Sequence, residues 1–452
     1  MRVALSALIA ALFAGCIHIA PAPISPETTA QQLESRSLSD PGLQKFVGDR
    51  PKWDIDSLTL AAFYFHPDLD VARAEAAVAR AAIVTSAERP NPTLTLPIEH
   101  KAEAGLSPWI VVLGLDIPIE TANKRGARVH HAEDVARAAE LTVAQDAWQL
   151  RSAIRAQLVA FSTANESLDA LQQQRDIQND LVEALEKRVE LGEGSRFELT
   201  QARIAARNTE LLLQDRQGQI AQSRAALAAA VGIPQKGIDG ATFQFDPHAF
   251  PYPASVDAMR EQALRARPDI LVSLANYAAA ESDLRVELSK QYPDIHIAPG
   301  FGWDQGSRRW DLGFSATLPV FSRNRGPIGE AEARRSASAA RFVALQARVI
   351  AATEVAVAQY QSALRRVTAA QSALALQRMQ TDAVQKSFNA GEADRVALRA
   401  SQLELVLAQL ALVDSANLAQ QALGALEDAV EQPVTATPVP QVPIVSPREG
   451  SR

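Results

Sequence analysis

Trp310-Asp311-Leu312-Gly313-Phe314-Ser315-Ala316-Thr317-Leu318 puts an apolar side chain at every second position, with aspartate, glycine, serine and threonine between. A period of two is that of an extended strand, whose successive side chains point to opposite faces. The stretch just upstream does the same: Ile295, Ile297, Pro299, Phe301 and Trp303 alternate with Asp294, His296, Ala298, Gly300, Gly302 and Asp304. Earlier in the chain the pattern returns more roughly, in Leu94, Leu96 and Ile98 and then in Val111, Leu113, Leu115 and Ile117. Strands of about ten residues, apolar on one face and small or polar on the other, are what a membrane-spanning barrel requires. This reading predicts that Trp310, Leu312, Phe314 and Leu318 face lipid, while Asp311, Ser315 and Thr317 face water. Trp109, Trp303 and Trp310 fall near the predicted strand ends, where a barrel carries its aromatic girdle. A soluble antiparallel sheet with one wet face shows the same alternation and stays open at this point.

Four strands cannot close a barrel, and open edges are untenable in lipid. Three chains supply about twelve strands, enough for a lumen, since about eight merely fill the interior with side chains. If the strands are membranous, a homotrimer follows from closure.

Outward from the strands the chain is helical. Aromatic residues make up only 5% and charged residues 21%, and alanine, leucine, glutamine, glutamate and arginine crowd the remainder, which favours long helices packed through small side chains. Residues 127–191 and 330–390 contain neither glycine nor proline. An unbroken helix of that size is about 90–100 Å long. Steps of three and four from Ala147 meet Leu150, Ile154, Gln157, Phe161, Ala164, Leu168, Leu171, Arg175, Gln178, Val182, Leu185 and Val189. Ten of these thirteen positions are apolar, enough to predict coiled-coil-like packing. A second seam runs through Val349, Ala356, Tyr360, Ala363, Val367, Ala370, Leu374, Val384 and Phe388. Two ordinary helical hairpins explain the helices nearly as well; only the strands point to a duct.

The two seams belong to a duplication. His66-Pro67-Asp68 is answered 201 residues later by Arg267-Pro268-Asp269, and Pro92 and Pro118 by Pro293 and Pro319 at the same offset. Gly126 pairs with Gly326, Gly192 with Gly391 and Pro234 with Pro433 at offsets of 200, 199 and 199, a drift too small for coincidence. The repeats span residues 54–234 and 255–433, separated by a linker, 235–254. Each reads as helix (58–88 and 256–290), two strands, long helix, glycine break and returning helix. A proline-rich tail, 434–452, closes the chain.

At the other end, Arg2 and an apolar run over residues 3–14 read as a secretory signal peptide, residues 1–15. Phe13-Ala14-Gly15-Cys16 resembles a bacterial lipobox, although Phe13 stands where an aliphatic residue is usual; Cys16, the chain's single cysteine, is then the lipidation site that starts the segment 16–53. Ile17 is not the aspartate that retains lipoproteins in the inner membrane, so the resemblance implies outer-membrane sorting. Beyond the leader no run of about 18 apolar residues exists for a spanning helix. A formal charge of −7 and the lack of a basic patch with interleaved aromatics argue against nucleic acid.

The duplicated plan, the lipobox, Arg267-Pro268-Asp269, Leu318-Pro319-Val320-Phe321 and Gly391-Glu392-Ala393-Asp394 together resemble the TolC-like outer-membrane efflux family over nearly the whole mature chain. Asn123-Lys124-Arg125-Gly126-Ala127-Arg128 and Arg323-Asn324-Arg325-Gly326 resemble its heavy-metal branch, the CzcC- and CusC-like proteins. The resemblance implies an α+β membrane protein: a homotrimeric, twelve-stranded β-barrel in outer-membrane lipid continued by an α-helical periplasmic tunnel. It also implies two partners, a periplasmic adaptor and an RND-type inner-membrane pump, and a passive duct that is not an enzyme and carries no cofactor. Many members carry aspartates six and nine residues after the second hairpin's tip glycine; here those positions are Ala397 and Ala400. The gate is therefore expected to rest on Glu193, Glu198, Glu392 and Asp394, with Arg196 and Arg395 clamping neighbouring hairpins; the alternative is that all six are solvated turn residues that only dock the adaptor. A periplasmic adaptor or another coiled-coil envelope lipoprotein is the alternative, and it leaves the strand pairs unexplained.

No catalytic constellation is visible. Adjacent His130 and His131 point about 100° apart on a helix and do not chelate together, and His130 with Asp134 falls short of the three or four ligands a metal needs. Gly300-Phe301-Gly302 lies in an alternating strand and opens no helix, so it is not a phosphate loop. The Glu- and Arg-rich helix faces read as solvated i,i+4 pairs.

Overall fold

The computed structural model describes residues 19–48, 52–101, 108–251, 255–304 and 306–434; the leader, Cys16 and the tail beyond 434 lie outside them. Two short helices, α1 (Pro26–Glu34) and α2 (Pro41–Val47), precede the first repeat. That repeat comprises α3 (Ile55–Phe65), α4 (Pro67–Ala87), β1 (Thr93–Thr95), β2 (Ile98–His100), β3 (Trp109–Ile119), α5 (Lys124–Glu190) and α6 (Arg196–Val231). The second comprises α7 (Val256–Ala266), α8 (Pro268–Ser289), β4 (Ile295–Asp304), β5 (Ser307–Ala316), α9 (Arg325–Asn389) and α10 (Arg395–Val430).

The opening segment of each repeat, expected as one helix, is two. A residue before proline is driven out of the helical region, and His66 and Arg267 are both extended, with ψ of 122° and 128°. The long helices match expectation: α5 has 67 residues and α9 has 65, so each reaches about 100 Å. Every position of both predicted seams is buried or half-buried. The helices pack in the order α6–α5–α10–α9, each returning helix beside its own long helix and α10 also against α5.

The strands form one antiparallel sheet, ordered β1/β2–β3–β4–β5. β1 and β2 share a single register on β3, with Leu94 opposite Leu115 and Ile98 opposite Val111. They are one strand split at Pro97: the Val112 N–H donates to the Pro97 carbonyl (3.0 Å), but proline has no N–H to return. Four strands per chain is thus the working count, and the β1/β2 and β5 edges are unpaired among the described residues. All four strands meet the helices at one end of the sheet. At that end β3 and β5 turn into α5 and α9 through Asn123 and Asn324, both left-handed (φ 54° and 57°), a conformation asparagine adopts more readily than most residues.

The core beside the first repeat gathers Leu58, Ile154, Leu158, Leu227 and Val231 with Leu38 and Leu43 from the N-terminal segment and Ile238 from the linker. Trp53 and Phe243 pair as a parallel bridge there, so the linker is part of the first repeat's core. The second core holds Met259, Ile270, Tyr360, Leu423, Leu426 and Val430.

Candidate functional site

The sheet register sorts its side chains into two faces. On one, Leu113, Phe301 and Trp310 lie in a row, as do Ile117, Ile297 and Phe314, and Ile119, Ile295 and Ala316; Pro299 and Leu312 are opposite each other on the same face. The Phe301 and Trp310 rings touch at a tilt of 58°, with centroids 4.8 Å apart. Trp310, Leu312 and Phe314 are 80%, 62% and 69% exposed, so one chain leaves this face bare. Leu318 lies past the end of β5 rather than on it. Trp109 and Trp303 sit near strand ends, but Trp310 is inside β5, one row inward from Trp303 and two from Trp109. The other face is glycine-rich and polar: Gly114, Gly300 and Asp311 align, and His296, next to Ser315, holds Asp116 at 3.0 Å.

The expected gate residues all lie at the far end of the helices. Each long helix ends in the same turn: Gly192 and Gly391 are left-handed (φ 78° and 80°), Glu193 N donates to Arg188 O (2.9 Å), and Glu392 N donates to Ser387 O (2.9 Å). Glycine at this position, with the six-to-one hydrogen bond, satisfies carbonyls the helix leaves over. Asp394 then caps α10 by accepting from Ala397 N (2.8 Å) and meets Arg188 of the first hairpin at 3.4 Å. Arg399 reaches Asp180 at 2.6 Å, a second link between the hairpins. Arg395 stands near Glu183, whose carboxyl is held below its ordinary value by Lys187 first and by Arg395 after it. Glu193, Glu198 and Glu392 are exposed and make no ion pair among the described residues, and Arg196 is exposed beside them. Among the described residues, these three carboxylates at the tip are left without an ion-pair partner.

One cluster escaped the sequence reading, which assigned arginine-rich helix faces to solvent. Arg151 and Arg155 of α5 are buried against α10, where Glu427 takes Arg155 Nε at 3.0 Å and Arg151 Nη1 at 3.4 Å. Arg155 also donates to the Gln420 carbonyl and side chain (2.9 and 3.0 Å), and Gln420 donates to the Pro247 and Ala249 carbonyls (both 3.0 Å). Gly424 leaves the room, since a Cβ there would lie 2.4 Å from Arg155 Nη1. Nearby, Arg267 bonds the Asp428 and Ala429 carbonyls and pairs with Asp269 (2.7 Å) and Glu431 (3.1 Å). Burial pushes the Glu431 carboxyl up to about 7 and the Tyr360 hydroxyl to about 12. These partners are up to 276 residues apart in sequence, so no local pattern announces them. Next to the cluster, α5, α6 and α10 border an open groove of about 690 Å³ lined by Gln157, Arg216, Gln219, Asn417, Gln421 and Asp428.

His130 meets Glu133 at 3.5 Å, and His131 faces the Ala279 carbonyl (3.0 Å) and Ser282. Among the described residues no three His, Cys, Asp or Glu side chains gather as a metal would need.

A sheet with one apolar face and two open edges, fused at one end to helices about 100 Å long, defines the class of outer-membrane channel proteins. The chain belongs to the outer membrane efflux protein family, which matches residues 64–233 and 259–430, one block per repeat. Its family and fold are those of channels, not enzymes, which sets aside the adaptor alternative and places the protein in the outer membrane. The cobalt-zinc-cadmium resistance protein CzcC of Cupriavidus metallidurans is 27% identical over 241 residues, covering 53% of this chain and 56% of that protein. The chain spans about half the length of the curated relatives it matches. Among solved structures, the outer membrane protein VceC of Vibrio cholerae superposes with a TM-score of 0.68 at 20% identity, covering 84% of this chain and 97% of that one. CusC superposes with a TM-score of 0.66 at 18% identity, covering 92% and 98%.

Proposed function

We propose that this chain is one third of a passive exit duct for divalent metal cations, fed by a periplasmic adaptor and an RND-type inner-membrane pump. The observation that carries the reading is the sheet: four strands with one continuous apolar face and two unpaired edges are stable in lipid only when three copies close about twelve strands. Trp310, Leu312, Phe314 and Leu318 then face lipid, and His296 and Asp116 face the lumen. Divalent metals are the favoured cargo because CzcC is named for cobalt, zinc and cadmium resistance. Cys16 carries the lipid, after loss of residues 1–15, and mass spectrometry of the mature N-terminus tests it.

At the tip, Glu193, Glu198, Glu392 and Asp394, repeated threefold, favour cations and resist full closure by mutual repulsion, while Arg196 and Arg395 clamp adjacent hairpins. Single-channel recording across a salt gradient decides: Glu198→Gln with Asp394→Asn is expected to lower cation preference, and an unchanged reversal potential rejects the gate assignment. For the whole reading, a trimer that falls apart on heating in a gel is expected, together with restored cobalt and zinc tolerance when the chain is expressed with its pump and adaptor.

A further inference from the structure

β5 leaves the sheet through Leu318-Pro319-Val320-Phe321, a turn closed by Val320 N donating to Leu318 O at 2.9 Å. Its apolar side chains are bare: Leu318 is 70%, Val320 71% and Phe321 103% exposed. The loop prolongs the apolar column of Phe314 and Ala316 beyond the strand, on the helix side of the sheet. Directly after it come Arg323 and Arg325, both exposed and neither in an ion pair among the described residues. Arg325 opens α9, whose first turn holds no acid. The helix dipole disfavours cations there, so helix stability does not explain them.

The equivalent junction of the first repeat pairs more of its cations within the chain. Lys124 pairs with Asp294 at 2.7 Å, Arg128 pairs with Glu120, and Thr121 N donates to Asp294 at 3.0 Å. Its apolar residues lie within β3, paired to β4. Arg125, the counterpart of Arg325, is likewise exposed and in no ion pair among the described residues, so what sets the second junction apart is Arg323 together with the bare Leu318, Val320 and Phe321 beside it.

We infer that the 318–325 junction is a docking surface for anionic phospholipid headgroups of the periplasmic leaflet, with Leu318, Val320 and Phe321 entering the acyl boundary and Arg323 and Arg325 holding the phosphate. Two things on the molecule select this occupant: the loop continues the face proposed above to meet lipid, and unpaired guanidiniums beside an apolar wedge complement a phosphate above acyl chains. The inference rests on that face reading, and its test separates the two.

The full chain carrying Phe321→Trp, and separately Phe314→Trp, is reconstituted in phosphatidylcholine vesicles containing about a quarter phosphatidylglycerol, bromine being carried on one lipid or the other. Each added fluorescence signal is taken as the difference from the parent, which has tryptophans of its own. Tryptophan at 314 is expected to be quenched by both lipids alike. At 321 phosphatidylglycerol is expected to quench preferentially, with local enrichment of roughly fivefold per arginine. Arg323→Gln with Arg325→Gln removes the preference, Arg323→Lys with Arg325→Lys keeps it, and excess inorganic phosphate leaves it intact. No quenching at 314 overturns the face reading. Quenching at 314 but none at 321 overturns this inference, showing the loop covered by protein, as does equal quenching at 321 by both lipids or loss of preference to free phosphate. Should Phe321→Trp not fold, phosphatidylglycerol retained by the delipidated parent trimer is compared with that of the double glutamine variant; equal retention rejects the inference.

Discussion

The two repeats share a backbone and part company over how buried polar groups are satisfied. Both α6 and α10 end in a left-handed residue whose neighbouring carbonyls are taken by an arginine. In the first repeat that residue is Gly232 (φ 83°), and the arginine, Arg36, comes from outside the repeat to bond the Phe65 and Gly232 carbonyls. In the second it is Glu431 (φ 47°), and Arg267 belongs to the repeat itself. The seams differ as well. The α5–α10 seam inside the chain is sealed by Arg151, Arg155, Gln420 and Glu427, whereas the residues 199 positions away are Ile350, Glu354, Ala221 and Ala228. A polar, directional seam joins the two repeats of one chain, and at the equivalent positions of α6 and α9 three of the four residues are small or apolar, Glu354 alone being charged. Duplication preserved the shape, and divergence decided which contacts are private to one chain.

Removing Glu427 should break this contrast most severely. Glu427→Ala strands two buried guanidiniums and is expected to cost about 3–5 kcal/mol, read as a lowered unfolding midpoint in detergent. Glu354→Ala, the exposed counterpart of Arg155, should stay within about 0.5 kcal/mol. Next comes the pair of helix ends. A Cβ at Gly232 would lie 2.8 Å from the His66 Cα, so Gly232→Ala should cost about 1–3 kcal/mol. Glu431→Gly relieves a positive φ while losing the Arg267 contact, and should be near neutral, within about 1 kcal/mol.

The smallest effect depends on pH. The Glu431 carboxyl is raised to about 7, mainly by burial, against the opposing pull of Arg267. A raised carboxyl stabilises the fold fully below its ordinary value, and that contribution is lost as pH rises through about 7. His66, lowered chiefly by burial, pulls the other way as pH falls. The measurement is therefore the difference between parent and Glu431→Gln: the parent's midpoint should fall relative to the variant's between pH 5 and 8, and parallel curves would remove Glu431 from the account.

Strands, long helices and tip glycines were legible because each is written locally: a period of two, a run without glycine or proline, a glycine repeated at a fixed offset. The residues proposed for the gate were found at the hairpin tips for the same reason. The break at His66 was legible too, in the following Pro67, but the apolar run across it suggested one helix. What stayed hidden is long-range. Arg151 and Arg155 look like surface residues until Glu427, 276 positions away from Arg151, is folded against them. The linker's place in the first core likewise depends on Phe243 finding Trp53.

The sheet's two open edges set an order of events. A lone chain that entered the bilayer would expose two rows of unpaired backbone amides and carbonyls to hydrocarbon, each costing several kcal/mol. Insertion and assembly therefore have to be a single step: the strands of one chain wait outside the lipid until two others arrive. The helices have no such constraint, since their hydrogen bonds are made within each chain, and they are free to fold first and bring the strands together. On this ordering the tunnel is the scaffold on which the barrel is built, and a defect in the α5–α10 seam would first be seen as failed delivery to the membrane, before any change in conductance.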